Sequence, residues 1–105
     1  MPNPVRGEVW QVDLGMVAKV RPALIINIPF HSDERALYAI VPHTTAQRGG
    51  RFEVALNVPW LRPGAFDVQG IRHIPASVFV RRLGALDGLQ IDAITRAMKI
   101  WFAVP

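Results

Sequence analysis

Lys19-Val20-Arg21-Pro22-Ala23-Leu24-Ile25-Ile26-Asn27 reads as a buried β-strand with one arginine at its entrance. Residues 23–26 are continuously apolar, end in two β-branched side chains and are too few for a helix. Pro22 has no N–H to donate, so it belongs at the first position of a strand or on an edge. It also pushes Arg21 into an extended conformation. A guanidinium is thereby held on restrained backbone where the chain enters the core, which suits a group whose direction matters.

Upstream, Glu8-Val9-Trp10-Gln11-Val12-Asp13-Leu14 alternates. Trp10, Val12 and Leu14 share one face and Gln11 and Asp13 the other, the period of a half-buried strand. Arg6-Gly7 turns into this strand, residues 1–5 read as a flexible leader, and residues 15–19 form a short connection to the second strand. Downstream, residues 28–35 form a polar loop broken by Pro29. Ala36-Leu37-Tyr38-Ala39-Ile40-Val41-Pro42 is a third strand with His43-Thr44-Thr45 as its polar continuation. Arg48-Gly49-Gly50-Arg51 turns into a fourth strand over residues 52–56, and a Pro/Gly-rich loop follows around Trp60. Further strands are read at 66–69, 70–74 and 77–83, the last ended by Gly84.

Asp87 and Gln90 stand at the N-cap and capping-box positions of a closing helix. Ile91, Ile94, Met98 and Trp101 recur along it at helical spacing. Many short strands covered by one amphipathic helix predict a mostly β protein, a small antiparallel barrel or half-barrel. Trp10 and Trp101 are assigned to the core, and Trp60 and Phe66 to packing in preference to base stacking.

The chain has 105 residues, enough for one domain with one core. Half of them are hydrophobic and 19% are charged, a globular balance. The absence of cysteine excludes disulfides, thiolate chemistry and cysteine-based zinc sites. No signal-peptide h-region and no run of transmembrane length is present, so a soluble, cytoplasmic protein is expected. The net charge is +4, and ten of the twelve basic residues are arginine. The arginine fork matches phosphate oxygens, so this excess leans toward nucleic acid or an acidic partner, and equally fits a codon bias toward arginine.

Arg6-Gly7-Glu8-Val9-Trp10-Gln11-Val12-Asp13-Leu14, then Arg21-Pro22-Ala23-Leu24-Ile25-Ile26, then Val41-Pro42-His43-Thr44-Thr45 resemble, in this order and spacing, the MazF/PemK/Kid family of bacterial toxins. Phe52-Glu53-Val54, Gln69 and the closing helix fall where that family has them. The resemblance implies an SH3-like barrel with a C-terminal helix, a homodimer, and a metal-independent endoribonuclease that cuts single-stranded RNA at short sequences without a cofactor. It also implies a cognate antitoxin whose acidic C-terminal tail occupies the RNA groove.

Carried onto this chain, the resemblance makes Arg21 the catalytic arginine and Thr45 the threonine that hydrogen-bonds the scissile phosphate. Thr44, His43, Gln69, Arg48, Arg51, Arg72 and His73 are the candidates for substrate binding. Read without the family, Arg21 is a surface arginine paired with Glu8 or Glu53, and the two threonines are strand-end residues. His31 reads as solvated loop. Three histidines on separate segments, with no carboxylate at ligand spacing, do not make a metal site. Arg62, Arg81 and Arg82 could add to a phosphate-contacting surface, but Arg81 and Arg82 must face opposite sides of a strand. Two departures from the family stand out. Position 68, acidic in some relatives, is valine, and Asp67 one residue earlier points to the other face if the segment is a strand. The connection before Arg21 is also shorter than the loop many relatives carry. Two rival readings are a catalytically silent module that binds RNA or antitoxin, and a gyrase poison sharing the barrel, which would act through the closing helix.

Overall fold

The computed structural model describes residues 3–15 and 19–105. The alternating first segment forms β1 (Glu8–Asp13), flanked by two antiparallel neighbours, β2 (Val20–Ile25) and β7 (Phe79–Ala85). β2 pairs with β3 (Leu37–Thr44). The other edge of β3 is shared: its first half takes β6 (Arg72–Pro75), and its end takes β5 (Ala65–Asp67), which carries the two-residue β4 (Glu53–Val54). The order β4-β5-β3-β2-β1-β7 leaves the sheet unclosed, the half-barrel form of the expected fold. Two register shifts between β1 and β7 mark bulges, which increase local twist.

The apolar run of β2 is buried because both faces of the sheet are covered. Leu24 joins Val9, Val41, Phe52, Phe66, Val68 and Leu86 on one face. Ala23 and Ile25 join Val12, Tyr38, Ile40, Ile74 and Phe79 on the other, where Trp10 and Leu14 complete the packing. Phe79 anchors this second cluster, with its ring edge-to-face to Trp10 at 5.7 Å and to Tyr38 at 5.1 Å. The first cluster is closed by α1 (Gly88–Trp101) through Ile94 and Ala97. Its N-terminus carries the expected capping box: Asp87 Oδ1 accepts from the Gln90 N–H at 2.9 Å, and Gln90 Oε1 accepts from the Asp87 N–H at 2.9 Å.

Several expectations change. Trp101 is not core: it is 45% exposed at the end of α1, its ring 5.1 Å from Phe52. Ala97 takes the buried position because the helix is tight against the sheet there. Gly84 does not end β7 but lies inside it, and a Cβ there would meet the indole of Trp60 at 2.5 Å. Within the expected leader, Pro4 is buried and the Val5 N–H donates to Glu8 Oε1 at 3.0 Å. The first two leader residues, and residues 16–18 of the connection before Arg21, lie outside the described residues.

Candidate functional site

β2 delivers Arg21 and Pro22 to the end of the sheet, where their Cα partners on β1 are Val12 and Gln11. β3 ends beside them with Thr44, and the chain bends away at Thr45 and Ala46. Two clefts adjoin there, and Arg21, Thr44 and Ala46 line both. The first, of about 580 Å³, is further walled by Gln11, Lys19, Pro22, His43, Thr45, Trp60, Arg62 and Arg81. The second, of about 610 Å³, is walled by Arg48, Arg51, Phe52, Glu53, Asp67 and Gln69. The Arg-Pro and Thr-Thr motifs, far apart in sequence, therefore meet at one saddle.

The two threonines differ. Thr44 Oγ1 accepts the Ala46 N–H at 3.1 Å and fixes the bend, whereas Thr45 is exposed on the first cleft. This local bond is the usual way a threonine hydroxyl stabilises a turn. Glu8 and Glu53 are both engaged in hydrogen bonds. Glu8 accepts from Arg82 Nε at 2.7 Å and from Trp10 Nε1 at 3.0 Å. Burial raises its pKa, but the hydrogen bonds from Trp10, Val5 and Arg82 outweigh this and hold it below the ordinary value. Glu53 Oε1 accepts the N–H groups of Arg48 and Gly49 at 2.8 and 2.7 Å and so shapes the arginine turn. Within that turn Arg51 lies over the Phe52 ring, 4.6 Å from its centre.

His43 is 3% exposed, with its ring edge-on to Phe66 at 5.0 Å. Its Nε2 is buried and finds no hydrogen-bond partner among the described residues. Burial lowers its pKa, so the imidazole is neutral in the folded protein at pH 7. Gly64 closes over it: a Cβ at that position would lie 2.7 Å from His43 Cε1 and 2.2 Å from the Thr44 carbonyl oxygen.

Asp67 corrects the strand reading. Residues 68–70 form a 3-10 turn, Val68 is driven into the core, and Asp67 and Gln69 both line the second cleft. Asp67 thus stands in the same cleft as Gln69. Arg72 and His73 are not gathered here. They are exposed on β6, opposite Ile40 and Ala39, and line neither cleft. The twin arginines divide as their alternation requires, Arg81 into the first cleft and Arg82 to Glu8. Gln11 and Lys19 were not singled out by the sequence. The signal for Gln11 was its place on the polar face of β1, the face that β7 extends with Arg81. Among the described residues no group of three His, Asp or Glu side chains could hold a metal, and no helix is long and apolar enough to cross a membrane.

A family model for the PemK-like, MazF-like toxins of type II toxin-antitoxin systems matches residues 5–102. The chain belongs to that family. Among curated relatives, this MazF-like chain is 28% identical over 100 residues to the probable endoribonuclease MazF5 of Mycobacterium tuberculosis (strain ATCC 25618 / H37Rv), covering 92% of this chain and 91% of that protein. Among solved structures, a mycobacterial endoribonuclease in complex with its cognate antitoxin superposes with a TM-score of 0.83 at 23% identity, covering 98% of each chain. The MazF of a MazE-MazF structure from Deinococcus radiodurans gives a TM-score of 0.83 at 16% identity over the whole of both chains. At those identities the MazF structures show the fold. The motif residues and the family model place this chain within it.

Proposed function

We propose that this MazF-like toxin is a metal-independent, sequence-selective endoribonuclease acting on single-stranded RNA in the cytoplasm, with Arg21 and Thr45 at its centre. The observation that carries the reading is the saddle, where one arginine and the Thr44–Thr45 bend stand between two clefts rich in arginine. An RNA strand laid through both clefts has a phosphate at the saddle and nucleotides on either side. The ribose 2′-OH loses its proton, and O2′ attacks phosphorus. The P–O5′ bond breaks and O5′ takes up a proton, giving a 2′,3′-cyclic phosphate and a 5′-OH. Charge grows on the non-bridging oxygens, and the Arg21 fork can donate to two of them at once. The exposed Thr45 hydroxyl adds a donor beside it.

Thr44, Gln69, Arg48 and Arg51 bind substrate in this reading, and the buried His43 backs the wall of the first cleft. Arg48 and Arg51 contact phosphates of the strand in the second cleft, and Gln69 with Asp67 faces the same nucleotide. The clefts also fit an acidic peptide, which supports control by a cognate antitoxin whose acidic C-terminal tail displaces RNA. A homodimer, as in the family pattern, places two such sites in one particle.

The test is cleavage of a long single-stranded RNA in the presence of EDTA, followed by analysis of the ends. Discrete fragments with cyclic-phosphate and 5′-OH ends are expected. Cleavage that stops with EDTA, or that leaves 5′-phosphate ends, refutes the chemistry. Binding of RNA without cleavage converts the reading to a binding module.

A further inference from the structure

The first cleft holds more than the saddle residues, and its far wall is built from three side chains that the cleavage chemistry does not use. Gln11 on β1 and Arg81 on β7 are direct cross-strand partners, and both line the cleft. Such partners have Cβ atoms about 4.5–5.5 Å apart. Arg81 is exposed and makes no ion pair among the described residues, while its neighbour Arg82 is held by Glu8. Trp60 stands against the same wall, partly buried on the first core cluster and seated on Gly84, where the missing Cβ leaves room for the indole. The ring is held on one side by this packing, and Trp60 lines the cleft. Leu61 and Leu83 make that end apolar. An aromatic ring, a guanidinium and a carboxamide beside two leucines describe a base pocket more closely than a phosphate track.

We propose that Gln11, Arg81 and Trp60 form a guanine-reading subsite for a nucleotide next to the cut bond, so that this toxin requires a guanine at one fixed position. The proposal rests on the RNA-cleaving reading and adds its specificity. Guanine presents O6 and N7 as adjacent acceptors, which match two donors of one arginine. Its N1–H and N2–H₂ donors match the Gln11 carboxamide oxygen. Adenine fails because its N6–H₂ donor would face the Arg81 donors. Uracil separates its two acceptors with the N3–H donor, and cytosine, whose O2 and N3 are adjacent acceptors, offers Gln11 one amino donor where guanine offers N1–H and N2–H₂.

Two measurements separate this proposal from the cleavage reading. The first sequences the cut sites that wild type leaves in a random-sequence RNA pool. Guanine is expected at one fixed position, with enrichment there falling about tenfold or more in Arg81→Ala. Arg82→Ala should keep the enrichment. The second measures anisotropy of labelled all-deoxy oligonucleotides differing only by guanine or adenine at one position, which cannot react through a 2′-OH. Wild type should prefer guanine about tenfold, and Arg81→Ala should bind the two alike. Gln11→Ala supplies an independent variant, in which guanine and inosine, which lacks the 2-amino group, should bind alike. Guanine preference in binding without any cleavage keeps the subsite and sinks the catalytic reading. Cleavage without a guanine position, or a guanine preference that survives both Arg81→Ala and Gln11→Ala, overturns the subsite.

Discussion

Gly84 lies against the indole of Trp60, so close that a Cβ at position 84 would stand 2.5 Å from Cε2 and 2.8 Å from Cζ2. Those atoms are backbone on one side and a rigid ring on the other, so relief requires Trp60 to move. Gly84→Ala should cost about 1–3 kcal/mol of stability by overpacking. It should also shift the tryptophan emission, since Trp60 lines the first cleft. Urea unfolding followed by fluorescence and by circular dichroism checks both.

Glu53 shapes the arginine turn from within the second cleft. Its Oε1 accepts two backbone N–H groups, from Arg48 and Gly49. Glu53→Ala removes both charge-assisted bonds and should destabilise the protein by about 1–3 kcal/mol. Because Arg48 and Arg51 ride on this turn, RNA affinity should weaken more than stability alone explains. Titration of a labelled all-deoxy strand, below the unfolding temperature of the variant, reads the difference.

The capping box of α1 gives a contrasting case. Asp87 and Gln90 bond reciprocally at the start of the helix, remote from the lining of either cleft. Asp87→Ala should cost about 1 kcal/mol of stability. Cleavage per folded molecule should be unchanged, which a specific-activity assay at a temperature where both proteins are folded will show.

His43 makes stability depend on pH with a defined sign. Burial lowers its folded pKa below the ordinary value of 6.5. Between the two values the unfolded chain binds the proton and the folded chain does not, so stability rises with pH in that window. The stabilisation is fully present above about pH 6.5 and is lost as pH falls toward the folded value. Glu8 acts in the same direction at lower pH, because its folded pKa is held below 4.5 and the gain present above that value is lost on further acidification. His43→Gln should flatten the loss between pH 7 and 5 and leave the part near pH 4 in place. Urea midpoints across this range measure it.

Much of the fold was legible because its strands obey simple periods. The 2-residue alternation of β1, the apolar run of β2 and the Asp87–Gln90 box all lie where the residues place them. Arg21 and the Thr44–Thr45 bend were nameable because a proline and a strand end mark them. What stayed hidden depends on tertiary approach. Nothing local says that Gly84 continues a strand, since the reason is Trp60 packed on it from a distant loop. Asp67 looked misplaced because the 3-10 turn at residues 68–70 breaks the strand period and sends Val68 inward. Arg72 and His73 looked like site residues by charge alone, yet β6 sits at the other half of β3. Trp101 kept the helical period but lies where α1 runs past the sheet, so it is left at the surface.

In the proposed reaction Arg21 stabilises the phosphate during attack by the neighbouring 2′-OH. The most direct measurement compares wild type with Arg21→Ala and Arg21→Lys on one single-stranded RNA, under EDTA, at saturating enzyme. Wild type should give cyclic-phosphate ends. Arg21→Ala should cut at least about a hundredfold more slowly, as the loss of a charge-stabilising donor does elsewhere. Arg21→Lys should recover only part of this, because it keeps the charge and loses the fork. Cleavage by Arg21→Ala within a few fold of wild type, with the same ends, would contradict the assignment of the saddle as the catalytic centre.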